Sequence, residues 1–126
     1  MQNPSNLRVF VLTEEVAVEV YRLTRTFPIE ERFGLIQQMR RAAVAIGSDI
    51  AEGCGRSGPR EVTRSLDAAL GSANELQFQL RLSYRFGYLL PEEHRTVSEA
   101  LRAVERMLIR LILRIRPAPE SSRRRP

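Results

Sequence analysis

Apolar residues recur every three or four positions along most of the chain, and Pro and Gly residues divide it into four segments. This spacing is typical of amphipathic helices, because a strand would alternate apolar and polar residues. The predicted helices cover residues 13–25, 32–52, 59–86 and 91–116. Four helices with short connections predict an all-α protein, folded as an antiparallel, up-down-up-down four-helix bundle.

Capping signals set the predicted helix boundaries. Thr13 is the predicted N-cap of the first helix, Phe27 before Pro28 ends that helix, and Pro59 suits the first turn of the third helix. Gly47 within the second helix predicts a kink or a close contact. The predicted core combines one apolar stripe from each helix: Val16, Val20, Leu23 and Phe27; Leu35, Ile36, Met39, Ala42, Ala43, Ile46 and Ile50; Val62, Leu66, Ala69, Leu70, Ala73, Leu76, Leu80 and Tyr84; Val97, Ala100, Leu101, Val104, Met107, Leu108, Leu111, Ile112 and Ile115.

Length and composition exclude several classes of protein. The 126 residues suit one domain, predicted over residues 1–116, and residues 117–126 (PAPESSRRRP) read as a disordered basic tail. One Cys cannot form an intramolecular disulfide, which predicts a reducing, cytoplasmic location, and one Cys with one His cannot build a zinc site. We expect no signal peptide, transmembrane helix or membrane partner.

Charge points towards an acidic partner. The net charge is +5, the sequence pI is near 10.6, and all 20 basic residues are Arg. Four of them, Arg102, Arg106, Arg110 and Arg114, follow at i, i+4 spacing opposite the apolar face of the fourth helix. This row either contacts phosphates of RNA or DNA, or forms a solvated face helped by Glu residues of other subunits. Arg123, Arg124 and Arg125 in the tail add an electrostatic arm or merely a solubilising end.

Four apolar residues lie outside the predicted core stripes. Ile109 and Leu113 fall on the arginine side of the fourth helix, and Val18 and Tyr21 lie off the stripe of the first. A monomer core does not explain them, so they predict a contact with a second subunit or another protein partner.

A set of motifs occurs together in this chain: Tyr21–Phe27 (YRLTRTF), Glu31–Leu35 (ERFGL), Gln38–Ile46 (QMRRAAVAI), Asp49–Gly53 (DIAEG) with Arg56, Gly71-Ser72 with Glu75-Leu76, and Gly87–Leu89 (GYL). Over roughly residues 7–115 the chain resembles the small four-helix bundle proteins first noted as open reading frames in intervening sequences of bacterial 23S ribosomal RNA genes. The resemblance implies assembly into a ring-shaped homopentamer. The accessory protein of diversity-generating retroelements looks like a relative, and it binds nucleic acid and a reverse transcriptase.

The residues of the second-helix motif have two explanations. The first explanation is a nucleic-acid or partner site. The second is a structural or intersubunit network in which the two carboxylates pair with Arg residues. The residues concerned are Arg40, Arg41, Asp49, Glu52, Gly53 and Arg56. The network is favoured, because adjacent Arg40 and Arg41 point about 100° apart. Asp49 stands where the family pattern usually has Asn, and its charge beside Glu52 argues against anion binding.

The sequence contains no convincing set of catalytic residues. His94 reads as a solvated residue, and Cys54 near a helix C-terminus lacks an activating neighbour. We therefore expect no enzyme, cofactor or metal. The predicted function is a non-enzymatic homo-oligomer that binds nucleic acid through its arginines; the alternative is a protein–protein scaffold whose arginines make intersubunit salt bridges.

Overall fold

The computed structural model describes residues 7–116, and these residues form four α-helices and no strand. The helices are α1 (Arg8–Thr24), α2 (Leu35–Cys54), α3 (Pro59–Arg85) and α4 (Pro91–Ile115), with a short 3-10 helix at Ile29–Glu31 between α1 and α2. The predicted all-α class and the four helices are confirmed. Residues 117–126, including Arg123, Arg124 and Arg125, lie outside the described residues.

The helices pack in chain order around a shared core. Each helix contacts the helices before and after it, and α1 also packs against α4. Within the described residues, α1 and α3 do not contact each other, and neither do α2 and α4, so both pairs are diagonal. The α1–α2 face and the α3–α4 face are therefore on opposite sides of the bundle.

Two predicted helix starts differ from the structure. Helix α1 begins at Arg8, not at Thr13, and the Thr13 hydroxyl donates to the Val9 carbonyl oxygen at 2.8 Å inside the helix. The sequence signal was misleading because a Thr hydroxyl either caps a helix or donates to a carbonyl oxygen of the preceding turn, and Thr13 does the second. Helix α2 begins at Leu35, whose backbone N–H donates to Glu31 Oε1 at 3.1 Å.

The predicted core stripes are largely buried. Five leucines of α3 and α4 have no solvent exposure, and burying each of them stabilises the fold by about 1.5–3 kcal/mol. These leucines are Leu66, Leu76, Leu80, Leu101 and Leu108. Tyr84 is the clear exception, since it is 39% exposed. The expected close contact at Gly47 is not a tight one: a Cβ there would lie 3.6 Å from Thr13 Cγ2, an ordinary van der Waals distance.

Candidate nucleic-acid interface

The outer face of α4 carries a row of unpaired cations. Arg102, Arg106, Arg110 and Arg114 are all exposed. Ion pairs within 4.0 Å do occur elsewhere among residues 7–116, at Arg22–Glu19, Arg56–Glu52, Arg95–Glu92, Arg95–Glu99 and Arg116–Asp67. None of the four arginines of the row has such a partner in the described part of the chain. We call these four residues the arginine row.

Helix geometry decides how much of the arginine row one ligand can reach. Each step of four residues advances by about 6 Å, so the row is about 18 Å long. Each step also turns by about 40°, because 3.6 residues complete one turn, and the direction changes by about 120° along the row. A straight ligand therefore contacts part of the row, and the end near Arg102 faces α3.

Arg102 lines a groove between α3 and α4 with a volume of about 450 Å³. Phe78 and Arg81 from α3 and His94 from α4 line the same groove. The Phe78 side chain is 60% exposed, and Arg81 is exposed without an ion-pair partner among residues 7–116. The remaining lining residues are Gln77, Ser98 and Glu105. We call this the Phe78 groove.

Hydrogen bonds between α3 and α4 hold the wall of the Phe78 groove. The Ser98 hydroxyl donates to Gln77 Oε1 at 2.8 Å, and Gln77 Nε2 donates to the Ser98 carbonyl oxygen at 3.1 Å and to Glu105 Oε1 at 3.3 Å. Both ends of the Gln77 amide are thus engaged, and part of the Glu105 charge is satisfied within the wall.

His94 is not the solvated residue that the sequence predicted. It is half-buried and stacks on Tyr84, with ring centroids 4.8 Å apart and planes inclined by 10°. Burial, and then the positive charges of Arg102 and Arg81, lower the pKa of His94 below 6.5. The imidazole is therefore neutral near pH 7.

Phe78 and Arg81 were missed as site residues. Both lie off the apolar stripe of α3, and a single exposed Phe or Arg on one helix carries no signal by itself. Their relation to Arg102 depends on the register of α3 against α4, which helical periodicity does not specify.

The two adjacent arginines of the second-helix motif have different surroundings. Arg40 Nε donates to Thr24 Oγ1 at 2.9 Å, its Nη2 donates to the Tyr21 carbonyl oxygen at 3.3 Å, and its guanidinium carbon lies 4.6 Å from the centroid of the Tyr21 ring. Arg40 thus ties α2 to α1. Arg41 is exposed and lines an outer groove between α2 and α3.

At the end of α2, one of the two predicted carboxylates, Glu52, pairs with an Arg residue. Arg56 Nη2 lies 3.3 Å from Glu52 Oε2, and the Ser65 hydroxyl donates to Glu52 Oε1 at 3.5 Å. Gly53 lets α3 approach, since a Cβ there would lie 3.3 Å from Ser65 Cβ. Asp49, however, has no cation within 4.0 Å in the described chain, so its pairing with Arg of another subunit stays a prediction. Burial and the neighbouring Glu52 charge raise the pKa of Asp49.

Exposed apolar residues lie on several helices of the bundle. Val18 is 69% exposed and Leu113 is 68% exposed, while Tyr21 and Ile109 are less so. The Tyr21 ring is partly explained by its contact with Arg40. On the α1–α2 face an apolar groove of about 310 Å³ adjoins the exposed Val44. These off-stripe residues are exposed in the single chain, and their contact with a second subunit or another protein stays a prediction.

The groups considered for catalysis are poorly placed for it. Cys54 is buried, and burial raises the pKa of its thiol, which disfavours the reactive thiolate. Over residues 7–116 no cluster of three or more His, Cys, Asp or Glu side chains is arranged to hold a metal ion. No helix in that range combines the length and apolar character needed to cross a bilayer.

Comparison with known proteins places this arrangement among relatives of unknown activity. The family described as 23S rRNA-intervening sequence protein matches residues 5–110. A crystal structure from Bacteroides thetaiotaomicron, described as a protein with unknown function from the S23 ribosomal protein family, is similar with a TM-score of 0.77. It is 25% identical in sequence, and the similarity covers 83% of this chain and 95% of that chain. No curated protein is significantly similar.

Proposed function

We propose that this chain, which belongs to the 23S rRNA-intervening sequence protein family, is a non-enzymatic homo-oligomer that binds nucleic acid through the arginine row of α4. The observation that carries the proposal is the row itself: four exposed arginines without an ion-pair partner among residues 7–116. The resemblance seen in the sequence adds the expectation of a ring-shaped homopentamer.

Electrostatics favours a polyanionic ligand. Like charges four residues apart on a helix destabilise it by about 0.2–0.5 kcal/mol per pair, and phosphates alongside would relieve that repulsion. The row is about as long as five nucleotides along one strand of a duplex, at 3.4 Å each. Contacts of this kind are independent of base sequence and weaken as salt is added.

Exposed apolar residues on more than one helix support self-association. Val18 on α1, Val44 on α2 and Leu113 on α4 are all exposed, so apolar side chains stand on the outside of three different helices. If the face of one helix packs against a different face of the next copy, the contact is heterologous and repeats from subunit to subunit. Such a contact closes into a ring when the rotation between neighbours permits it.

Charge reversal within the arginine row tests nucleic-acid binding. The double variant Arg106→Glu/Arg110→Glu should bind labelled single-stranded RNA and duplex DNA more weakly at every sequence, with a salt slope lower by about two units. A matched control is Arg25→Glu/Arg64→Glu, which changes the net charge equally at exposed arginines outside α4. Fluorescence anisotropy at about 50 and 200 mM salt measures both, and each phosphate contact predicts a loss of wild-type affinity of about 3.5-fold across that range.

The outcomes separate two functions. Equal affinity and equal salt slope in the two double variants would refute the role of the arginine row. The second candidate is a scaffold in which these exposed arginines pair with carboxylates of neighbouring copies. In that case the wild type binds no nucleic acid even at low salt, and Arg106→Glu/Arg110→Glu reduces the assembly mass measured by light scattering.

A further inference from the structure

The Phe78 groove combines two features that a phosphate-binding row alone does not need. One is a large aromatic ring, 60% exposed, on the wall formed by α3. The other is a pair of exposed cations from different helices, Arg81 on α3 and Arg102 on α4, that line this same groove. The volume of about 450 Å³ lies within the range of small-molecule sites.

We propose that the Phe78 groove receives an unstacked base of a single-stranded nucleic acid. The base stacks on the Phe78 ring, and the flanking phosphates contact Arg81 on α3 and Arg102 on α4. This inference rests on the proposed function, because Arg102 is the first member of the arginine row. It goes further by assigning the strand type: the arginine row accepts any phosphate backbone, whereas the groove accepts only a base that has left the stack.

The physical reason for the strand preference is the position of the base faces. Inside a duplex each base face is covered by its neighbours, so an aromatic side chain beside the helix has no face to stack on. A single strand can turn a base outwards, and stacking on an aromatic ring then contributes to affinity for any base, since every base has a π-face.

The wall of the groove argues against base-specific recognition. Gln77 is the side chain best suited to read a base edge, but both its amide oxygen and its amide nitrogen are engaged by Ser98 and Glu105. Binding is therefore tolerant of base sequence. The contacts involve bases and phosphates only, so RNA and DNA single strands of one sequence should bind with similar affinity.

The test uses the full-length wild-type chain and one matched pair of variants. Phe78→Ala removes the stacking ring. Phe33→Ala is the control, because Phe33 is 76% exposed and also lies beside an arginine, with the Arg32 guanidinium carbon 5.0 Å from its ring centroid, but it is not part of the groove. Both side chains are exposed, so both variants should fold, and circular dichroism of each variant checks this.

The probes are single strands of about 15 nucleotides, as RNA and as DNA, with 2-aminopurine at the centre, together with the matching duplex and an abasic strand of equal length. We expect the wild type to quench the 2-aminopurine fluorescence and to bind the single strands more tightly than the abasic strand. Phe78→Ala should lose about fivefold or more in affinity for the single strands, and the quenching with it. Its affinity for the duplex and the abasic strand should stay within about twofold, and Phe33→Ala should behave as wild type.

Several results would overturn the inference without touching the proposed function. In the first, the wild type binds abasic and normal single strands with equal affinity. In the second, Phe78→Ala loses as much affinity for the duplex as it loses for the single strands. His94 provides an independent measurement, because it is the only histidine of the chain and its ring NMR signals are unique. A single strand that fills the groove must shift those signals; unchanged signals at saturation would also overturn the inference. If the wild type binds none of the probes, the proposed function itself fails.

Discussion

Replacing Arg40 and Arg41 one at a time should separate a structural arginine from a surface arginine in the same helix turn. Arg40 donates to Thr24 Oγ1 and to the Tyr21 carbonyl oxygen, and its guanidinium lies over the Tyr21 ring. Arg41 is exposed and has no ion-pair partner within residues 7–116. We expect Arg40→Ala to destabilise the fold and Arg41→Ala to leave it nearly unchanged.

The expected magnitude follows from the contacts of Arg40. A hydrogen bond from a charged donor contributes about 1.5–3 kcal/mol, and we count only the 2.9 Å bond to Thr24 fully, since the 3.3 Å bond to Tyr21 is longer and exposed. The cation–π contact adds about 0.5–1 kcal/mol. The sum is about 2–4 kcal/mol for Arg40→Ala, or a decrease in Tm of roughly 10 °C for a chain of this length. Arg41→Ala should stay within about 0.5 kcal/mol of wild type.

Thermal and urea unfolding monitored by circular dichroism measure the difference, at one protein concentration because self-association would stabilise the fold in a concentration-dependent way. Arg40→Lys is the sharper variant: it keeps the charge but loses the planar group that stacks on Tyr21, so it should still lose about 1 kcal/mol or more. Equal stabilities of Arg40→Ala and Arg41→Ala would refute the reasoning. A wild-type stability for Arg40→Lys would mean that charge alone matters at this position.

Two further predictions concern glycines and pH. Gly71→Ala should stabilise α3 by about 0.5–1 kcal/mol, because a Cβ there meets nothing within 4 Å, whereas Gly53→Ala should destabilise the fold because its Cβ would lie 3.3 Å from Ser65 Cβ and 3.6 Å from the Val62 carbonyl oxygen. Thermal unfolding should therefore give shifts of opposite sign, and shifts of the same sign would contradict this account. The pKa of His94 is lowered by burial and by the positive charges of Arg102 and Arg81, and the other charged group of the same groove is Glu105. Because the pKa is lower in the folded chain, the unfolded chain binds this proton at a higher pH than the folded chain does. The free energy of unfolding should thus fall more steeply for wild type than for His94→Gln as the pH decreases from about 7.5 to 5, and parallel urea-unfolding results for the two proteins would exclude this contribution.

Some local expectations failed because a side chain had two physical options. Thr13 is a good helix cap by type, but the chain before it contains Val9, which is buried in the core and extends α1 to Arg8. Tyr84 continues the apolar spacing of α3, yet near the end of that helix it stacks on His94 and stays partly exposed. Helical periodicity gives the direction of a side chain, but not whether a neighbouring helix still covers it at that height.

The four helices, the faces that they bury and the arginine row could be predicted from the sequence, because each of these depends on residues three or four positions apart in one helix. The contacts between groups of different helices could not, and they become visible in the packed bundle. Arg40 lies beside Tyr21 and Thr24, and Phe78 and Arg81 lie beside Arg102, through the lateral packing and axial register of neighbouring helices. Those relations depend on how core side chains from two helices interdigitate, and a pattern read along one chain segment does not contain them.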